Sequence, residues 1–166
     1  MKRRRHSRGG AVLEFALTGA PMLFAFLVIA EMGRAMWTCQ TLTYAAHEVN
    51  HYVAVHGTHC GGANGCTLTV GSVATAAAHY AMGLNPGALR ICLTSLTTSY
   101  SCNTITSYKS NRNPWPPTTD NTVGTTIQLR LEYQFKSALA VLWPGARPVS
   151  FATYNMGANS KQRVLF

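Results

Sequence analysis

One carboxylate interrupts an apolar run close to the start of the chain. The run from Ala11 to Ala30 is apolar except at Glu14, Thr18, Gly19 and Pro21. A charged carboxylate costs about 3 kcal/mol at the centre of a bilayer and less near an interface. Glu14 is therefore either a side chain that snorkels to the headgroups or one that pairs with a cation inside an assembly. The residue types alone leave both interpretations open.

Cysteine thiols are a second source of chemistry, and the chain has five of them, Cys39, Cys60, Cys66, Cys92 and Cys102. The last four would close short loops. In an exported domain we expect the disulfides Cys60–Cys66 and Cys92–Cys102, although four cysteines permit three pairings. The CxxC spacing of a zinc site is absent. Cys39 is left without an expected partner.

Histidines raise the question of a metal site. His47 and His51 are four residues apart, a spacing at which two side chains on one helix can share a metal ion. No carboxylate follows them as in a metalloprotease, and no third or fourth ligand is evident. We therefore favour histidines that face solvent or pack. The chain also lacks a paired-carboxylate, G-x-S-x-G or phosphate-loop pattern, so we predict no enzyme, no metal and no cofactor.

Aromatic and cationic residues occur together in the loop at 108–117, where Tyr108, Lys109, Arg112 and Trp115 are found. Such a mixture can recognise DNA, glycan or another surface. The alternative is an exposed loop with a Trp packed beneath it, which is the interpretation we favour. A membrane-tethered binding protein that uses this loop is thus the second functional hypothesis.

The element that carries Glu14 is predicted to be a membrane anchor. Twenty helical residues span about 30 Å, enough for one crossing. A signal peptide cleaved after Val28-Ile29-Ala30 is the rival, but the run exceeds the usual apolar region and the helical pattern continues past it. Five of the 14 Lys and Arg residues precede the run, and subtracting them from the net charge of +9 leaves +4. Basic residues directly before an apolar run predict a cytoplasmic N-terminus. Because much of the positive charge belongs to this short tail, nucleic-acid binding by the rest of the chain is not favoured.

The helical pattern beyond the anchor predicts an exported stalk. Small apolar residues recur at spacings of three and four on one stripe, which favours close packing of another element; they are Ala35, Cys39, Leu42, Ala46, Val49 and Val53. Cys39 is accordingly expected to be a buried apolar group. We predict one helix from about Val12 to about His56, roughly 65 Å long, with a local interruption at Pro21.

The rest of the chain is predicted to be a small α+β domain. Leu68 to Met82 reads as an alanine-rich helix, and alternation from Leu89 to Leu93 predicts a strand with a hairpin partner in the Thr/Ser-rich stretch that follows. Strict alternation from Ile127 to Phe135 predicts a half-buried strand, with a return strand at Val149 to Met156. The predicted architecture is a long helix, half of it transmembrane, and a short helix packed on a small antiparallel sheet.

The N-terminal motifs resemble those of the TadE-like pseudopilins of tight-adherence (Tad) pilus systems. A basic leader with a glycine, a few small residues, a Glu-Phe pair and an early proline follow one another at Arg8-Gly9, Gly10 to Leu13, Glu14-Phe15 and Pro21. Glu31-Met32-Gly33-Arg34-Ala35 is similar to the family's Glu-Phe-Gly-Arg segment. The Ala-rich stretch from Ala45 to Gly57 is similar to its later helix. The domain division that follows is a leader at 1–9, an anchor at 10–30, a stalk at 31–57 and an exported domain at 58–166.

The resemblance implies processing by a prepilin peptidase between Gly9 and Gly10. Glu14 would then be the fifth mature residue, and it would pair with the new N-terminal amine of a neighbouring subunit while Phe15 packs beside it. The implied function is a structural minor pilin or pseudopilin of the inner membrane that initiates, caps or anchors a Tad pilus. Its partners would be other pilin subunits, the peptidase and an inner-membrane assembly platform.

Overall fold

The computed structural model describes residues 8–56, 68–138 and 153–165. Within these ranges a four-stranded antiparallel sheet is combined with one long helix and two short ones, which confirms the predicted α+β class. The helices are α1 (Arg8–His56), α2 (Val70–Tyr80) and α3 (Ile105–Tyr108), and the strands are β1 (Leu89–Thr94), β2 (Ser99–Thr104), β3 (Thr126–Lys136) and β4 (Thr153–Arg163). We refer to residues 68–138 and 153–165 as the head.

The sheet is built around β3, the strand with the clearest alternation in the sequence. The strand order is β2-β1-β3-β4, with antiparallel pairing throughout. Ile127, Leu129 and Leu131 are fully buried on one face, whereas Arg130 between them is exposed. Period-two alternation therefore places one face of the sheet in the core and leaves the other in water.

The return strand lies further along the chain than the sequence predicted. β4 pairs with β3 over its whole length, from Thr153 opposite Lys136 to Arg163 opposite Thr126. The prediction of a strand ending at Met156 was wrong at that end, and its first residues, 149–152, lie outside the described residues. β4 is largely polar and has no hydrophobic alternation, so its extent follows from the length of β3 rather than from its own pattern.

Helix α1 is uninterrupted. It is helical through Pro21, where a local break was expected. A proline in a helix removes one backbone hydrogen bond, and neighbouring turns can accommodate the loss without ending the helix. The helix crosses the sheet with its second half only, so that Leu42, Ala46, Val49 and Val53 are buried.

Cys39 does not belong to the buried stripe. It is a free, exposed cysteine, so the expectation of a buried apolar group was wrong. Thr38 takes the inward position, and Ala45, Asn50 and Ala54 widen the buried face further along. Each residue turns a helix by about 100°, so a shift of the buried face by one position is enough to expose Cys39.

The start of α2 holds the long loop against the head. Its N-cap Thr69 and Ser72 form a reciprocal capping box. The amides of Val70 and Gly71 donate to loop carbonyls of Asn113 and Asn111 at 2.9 and 2.8 Å. The helix thereby anchors the loop that carries the aromatic residues singled out in the sequence.

Candidate functional site

The first half of α1 is an apolar surface that its own chain does not cover. The helix contains a stretch long and apolar enough to cross a membrane, and none of that stretch is buried. Phe15 is 77% exposed, Leu17 68% and Ile29 66%. Exposed apolar surface of this extent marks a membrane or protein interface. This half of α1 is therefore the candidate anchor.

Glu14 lies on this exposed surface. It is the one carboxylate between Gly10 and Ala30, and Phe15 beside it is also exposed. Gly9 and Gly10, the predicted cleavage site, lie in the first turn of α1. The hydroxyl of Thr18 donates to the backbone carbonyl of Glu14 at 2.9 Å, so that hydroxyl is satisfied within the helix. The two salt bridges among the described residues involve Glu31 and Glu132, not Glu14.

An ionic contact ties α1 to the end of β3 where the apolar run ends. Arg34 Nη2 donates to Glu31 Oε2 at 2.9 Å and to the carbonyl oxygen of Lys136 at 2.6 Å. Its guanidinium lies 4.6 Å from the centroid of the Phe135 ring. The Ser137 hydroxyl donates to Glu31 Oε2 at 3.2 Å. Together these contacts join residues more than 100 positions apart and hold the helix where it meets the head.

A second contact joins α1 to the turn after α2. Gly83 has a φ of +80°, and a Cβ placed on it would lie 2.5 Å from Cη2 of Trp37. Only glycine permits both this backbone conformation and this close approach. A cavity of about 260 Å³ lies beside the contact and is lined in part by Tyr133 and Phe135. We call the contacts of Glu31, Arg34 and Trp37 with the head the junction.

Asp120 anchors the β1–β2 turn, a role that sequence reasoning did not assign to it. It is 1% exposed and accepts hydrogen bonds from the Ser95 hydroxyl, from the amide and hydroxyl of Thr97, both at 2.8 Å, and from the Thr119 hydroxyl. Burial raises the pKa of Asp120, but these hydrogen bonds favour the charged form by more, so that its pKa is lowered below the ordinary value. The arrangement is that of a structural clamp.

The loop at 108–117 presents little aromatic surface. Trp115 is fully buried and Tyr108 is 9% exposed. The hydroxyl of Tyr108 donates to the Ser101 carbonyl at 2.5 Å. This confirms the interpretation that a Trp packs beneath the loop. Lys109 and Arg112 remain exposed, but the aromatic rings cannot stack on a ligand.

The other candidates from the sequence are the two predicted disulfides and the histidine pair His47 and His51. Cys92 and Cys102 form a disulfide between β1 and β2, with their Cα atoms 4.2 Å apart. Cys60 and Cys66 lie outside the described residues. The disulfide sulfurs approach Glu132, but oxidised sulfurs are not metal ligands. His47 and His51 are both exposed on α1, and the metal-ligand cluster found in the described part of the chain includes neither.

Comparison with known protein families finds a match for most of α1. The family described as TadE-like protein matches residues 9–49. This segment is TadE-like. The match confirms, over these residues, the resemblance seen in the N-terminal motifs, and the TadE-like family is associated with Tad pili. No curated protein and no solved structure matches the chain.

The TadE-like segment contains both the anchor and the helix side of the junction. The match begins at the predicted cleavage site and includes Glu14, Glu31, Arg34 and Trp37. The similarity of residues 31–35 to a family motif was visible in the sequence, but its role was not. A pair of opposite charges three residues apart at the end of an apolar run was the available signal. Only the fold shows that the pair reaches β3.

Proposed function

We propose that the chain is a minor pilin or pseudopilin of a Tad pilus, with a structural role in initiating, capping or anchoring the filament. The exposed apolar half of α1 carries this proposal, because a helix of that length has to be covered by lipid or by other helices. Residues 10–30 would cross the inner membrane with the N-terminus in the cytoplasm. The head would then be exported, in a compartment where the Cys92–Cys102 disulfide is stable.

Assembly depends in this proposal on the first turns of α1. A prepilin peptidase cuts between Gly9 and Gly10, and the new amine pairs with Glu14 of a neighbouring subunit. The pairing offsets the desolvation of the carboxylate when helices stack in register. Phe15 and the apolar side chains around it supply the packing surface. Other pilin subunits and an inner-membrane assembly platform are the remaining partners.

The N-terminus of the native protein tests the processing step. Mass spectrometry of protein purified from membranes or filaments should find a chain that starts at Gly10. A start at Glu31 would show a cleaved signal peptide and contradict the anchor. A start at Met1 would contradict the cleavage and leave a fixed membrane protein.

Substitution of Glu14 tests the pairing step. We expect Glu14→Ala and Glu14→Gln to abolish pilus assembly in the native host, since neither offers a charge to the amine. Glu14→Asp, which keeps the charge, should retain part of the assembly. Pili counted by electron microscopy, with the variant's level in the membrane as the control, provide the measurement. Normal assembly by Glu14→Gln would instead indicate a side chain that only snorkels.

The second hypothesis, a tethered binding protein that uses the loop at 108–117, has lost its main support. Its aromatic side chains are in the core or at its edge, with Trp115 fully buried. Lys109 and Arg112 alone resemble an ordinary solvated surface. The loop is therefore best explained as part of the head's packing against α2.

A further inference from the structure

The head begins where the membrane anchor ends, without a linker. Glu31 follows Ala30 directly, and it already contacts the head through Ser137. Along a helix, Arg34 lies about 6 Å and Trp37 about 10 Å beyond Ala30. The polar layer on each side of the hydrocarbon core is about 5–8 Å thick, and helical side chains point back towards the N-terminus, which here means towards the membrane. The junction therefore lies at the depth of the lipid headgroups.

Exposed side chains on α1 and on the head flank this junction. Met36 is 66% exposed and Trp37 50% exposed on α1 itself. Met82, next to Gly83, is 71% exposed, and Tyr154, paired with Phe135 across the sheet, is 52% exposed. Lys136 adds an exposed cation, and its carbonyl is the one that Arg34 binds. We call these five residues the rim.

We propose that the rim is a membrane-docking surface that rests among the headgroups of the exported leaflet and binds anionic phospholipids. This rests on the proposed membrane anchor. Trp and Tyr side chains are enriched at this depth because their rings are apolar and their tips polar. The methionines insert apolar surface, and the ammonium of Lys136 meets lipid phosphates. The head is thereby seated on the membrane before it enters any filament.

The opposite end of the head provides an internal control. Leu96 is 79% exposed and Val123 73% exposed, so exposure by itself does not distinguish the two ends. Their position does, because β1 runs away from the junction and β3 runs back towards it, so that the end of β1 and the start of β3 lie at the opposite end of the sheet. At that end the amide of Leu165 bonds to the carbonyl of Ala54, near the end of α1. Twenty helical residues, or about 30 Å, separate Arg34 from Ala54. Leu96 therefore remains clear of the bilayer.

Fluorescence quenching by lipids that carry a nitroxide on the headgroup tests the seating. The full-length chain carries Cys39→Ser and one introduced cysteine, at Met82→Cys, at Leu96→Cys or at Ile29→Cys in the anchor. Each variant is labelled with a fluorophore and reconstituted in nanodiscs. The Cys39→Ser protein without an introduced cysteine is treated in the same way as the control. We expect strong quenching at positions 29 and 82, and several-fold weaker quenching at 96. Strong quenching at 29 alone would overturn the docking surface and leave the anchor intact. Weak quenching at all three would overturn the anchor and the proposed function with it.

The charge of the lipid tests which headgroups are recognised. In nanodiscs with anionic phospholipid, Lys136→Glu should reduce the quenching of the label at 82 several-fold, whereas zwitterionic nanodiscs should show little change. Lys109→Glu is the matched control, since Lys109 is an exposed cation next to the N-terminal end of α2, away from the junction. An equal response to both substitutions, or no response to Lys136→Glu in anionic nanodiscs, would overturn the recognition of anionic lipid.

Discussion

The two halves of α1 belong to one uninterrupted helix and have opposite surroundings. In the first half Phe15 is 77% exposed, and in the second half Val49 is fully buried against the head. The first half is rich in bulky residues, whereas the buried positions of the second half are mostly alanine and valine. Small side chains let a sheet approach the helix closely, whereas bulky ones suit lipid or other helices. Hydrophobicity alone does not tell which partner a helix face has.

The largest expected effect is on the stability of the head, and it should differ between substitutions in the two halves of α1. Val49→Asp places an unpaired charge in the core, and we expect the free energy of unfolding of the head to fall by about 3–5 kcal/mol. Leu17→Asp, in the exposed half, should leave the head's stability within about 0.5 kcal/mol of the parent. Denaturant unfolding in detergent, followed by circular dichroism, provides the measurement. Similar losses for both variants would mean that the first half also packs on the head.

Gly83→Ala tests the contact between the stalk part of α1 and the head. The substitution combines a positive φ with a clash against Trp37, and we expect a loss of about 2–3 kcal/mol. Gly124→Ala is the matched control, because Gly124 has a φ of +87° and nothing within 4 Å of the added Cβ. It should cost only the backbone part, about 1–2 kcal/mol. In a Trp37→Ala background the two glycine substitutions should become equal, and a persistent difference would contradict the clash.

A smaller effect is expected at the boundary between the two halves. Arg34→Met removes the hydrogen bonds to Glu31 and to the Lys136 carbonyl, but the Arg34 side chain is 47% exposed, so we expect a loss of about 1 kcal/mol or less. Arg34→Lys keeps the charge and loses the planar fork, and it should recover part of the loss. Faster amide hydrogen exchange at the end of β3, without a change in the rest of the sheet, is the expected signature. Unchanged exchange there would remove the junction's role in joining the halves.

The smallest expected effect is a pH dependence away from both halves of α1. The pKa of Asp120 is lower in the folded head than the value of about 3.9 usual for an unfolded chain. Its contribution to stability is therefore fully present above about pH 4 and is lost as the pH falls through the folded pKa. The free energy of unfolding of the parent and of Asp120→Asn should be measured from about pH 2 to about pH 7. The two curves of free energy against pH should differ in slope only at the acidic end. Parallel curves would show that the clamp does not couple to protonation.

Local patterns predicted the elements whose periodicity is strong. α1 and β3 were both predicted close to their observed limits, because one carries a helical stripe and the other a strict alternation. β4 was misplaced because its residues are mostly polar and its length is set by pairing with β3. Cys39 was assigned to the wrong face because the spacings alone cannot distinguish neighbouring positions on a helix of mostly small residues.

Residue types and spacing alone determine that an apolar helical run lies near the N-terminus, that Glu14 is the single carboxylate between Ala11 and Ala30, and that a half-buried strand follows much later. These properties depend on neighbours within a few residues, which any chain conformation keeps close together. Tertiary structure decided which face of α1 is buried, that Trp115 lies in the core, and that Arg34 reaches the carbonyl of Lys136, 102 residues away. Such contacts depend on how the helix and the sheet meet, because a local pattern carries no information on the partner across the core.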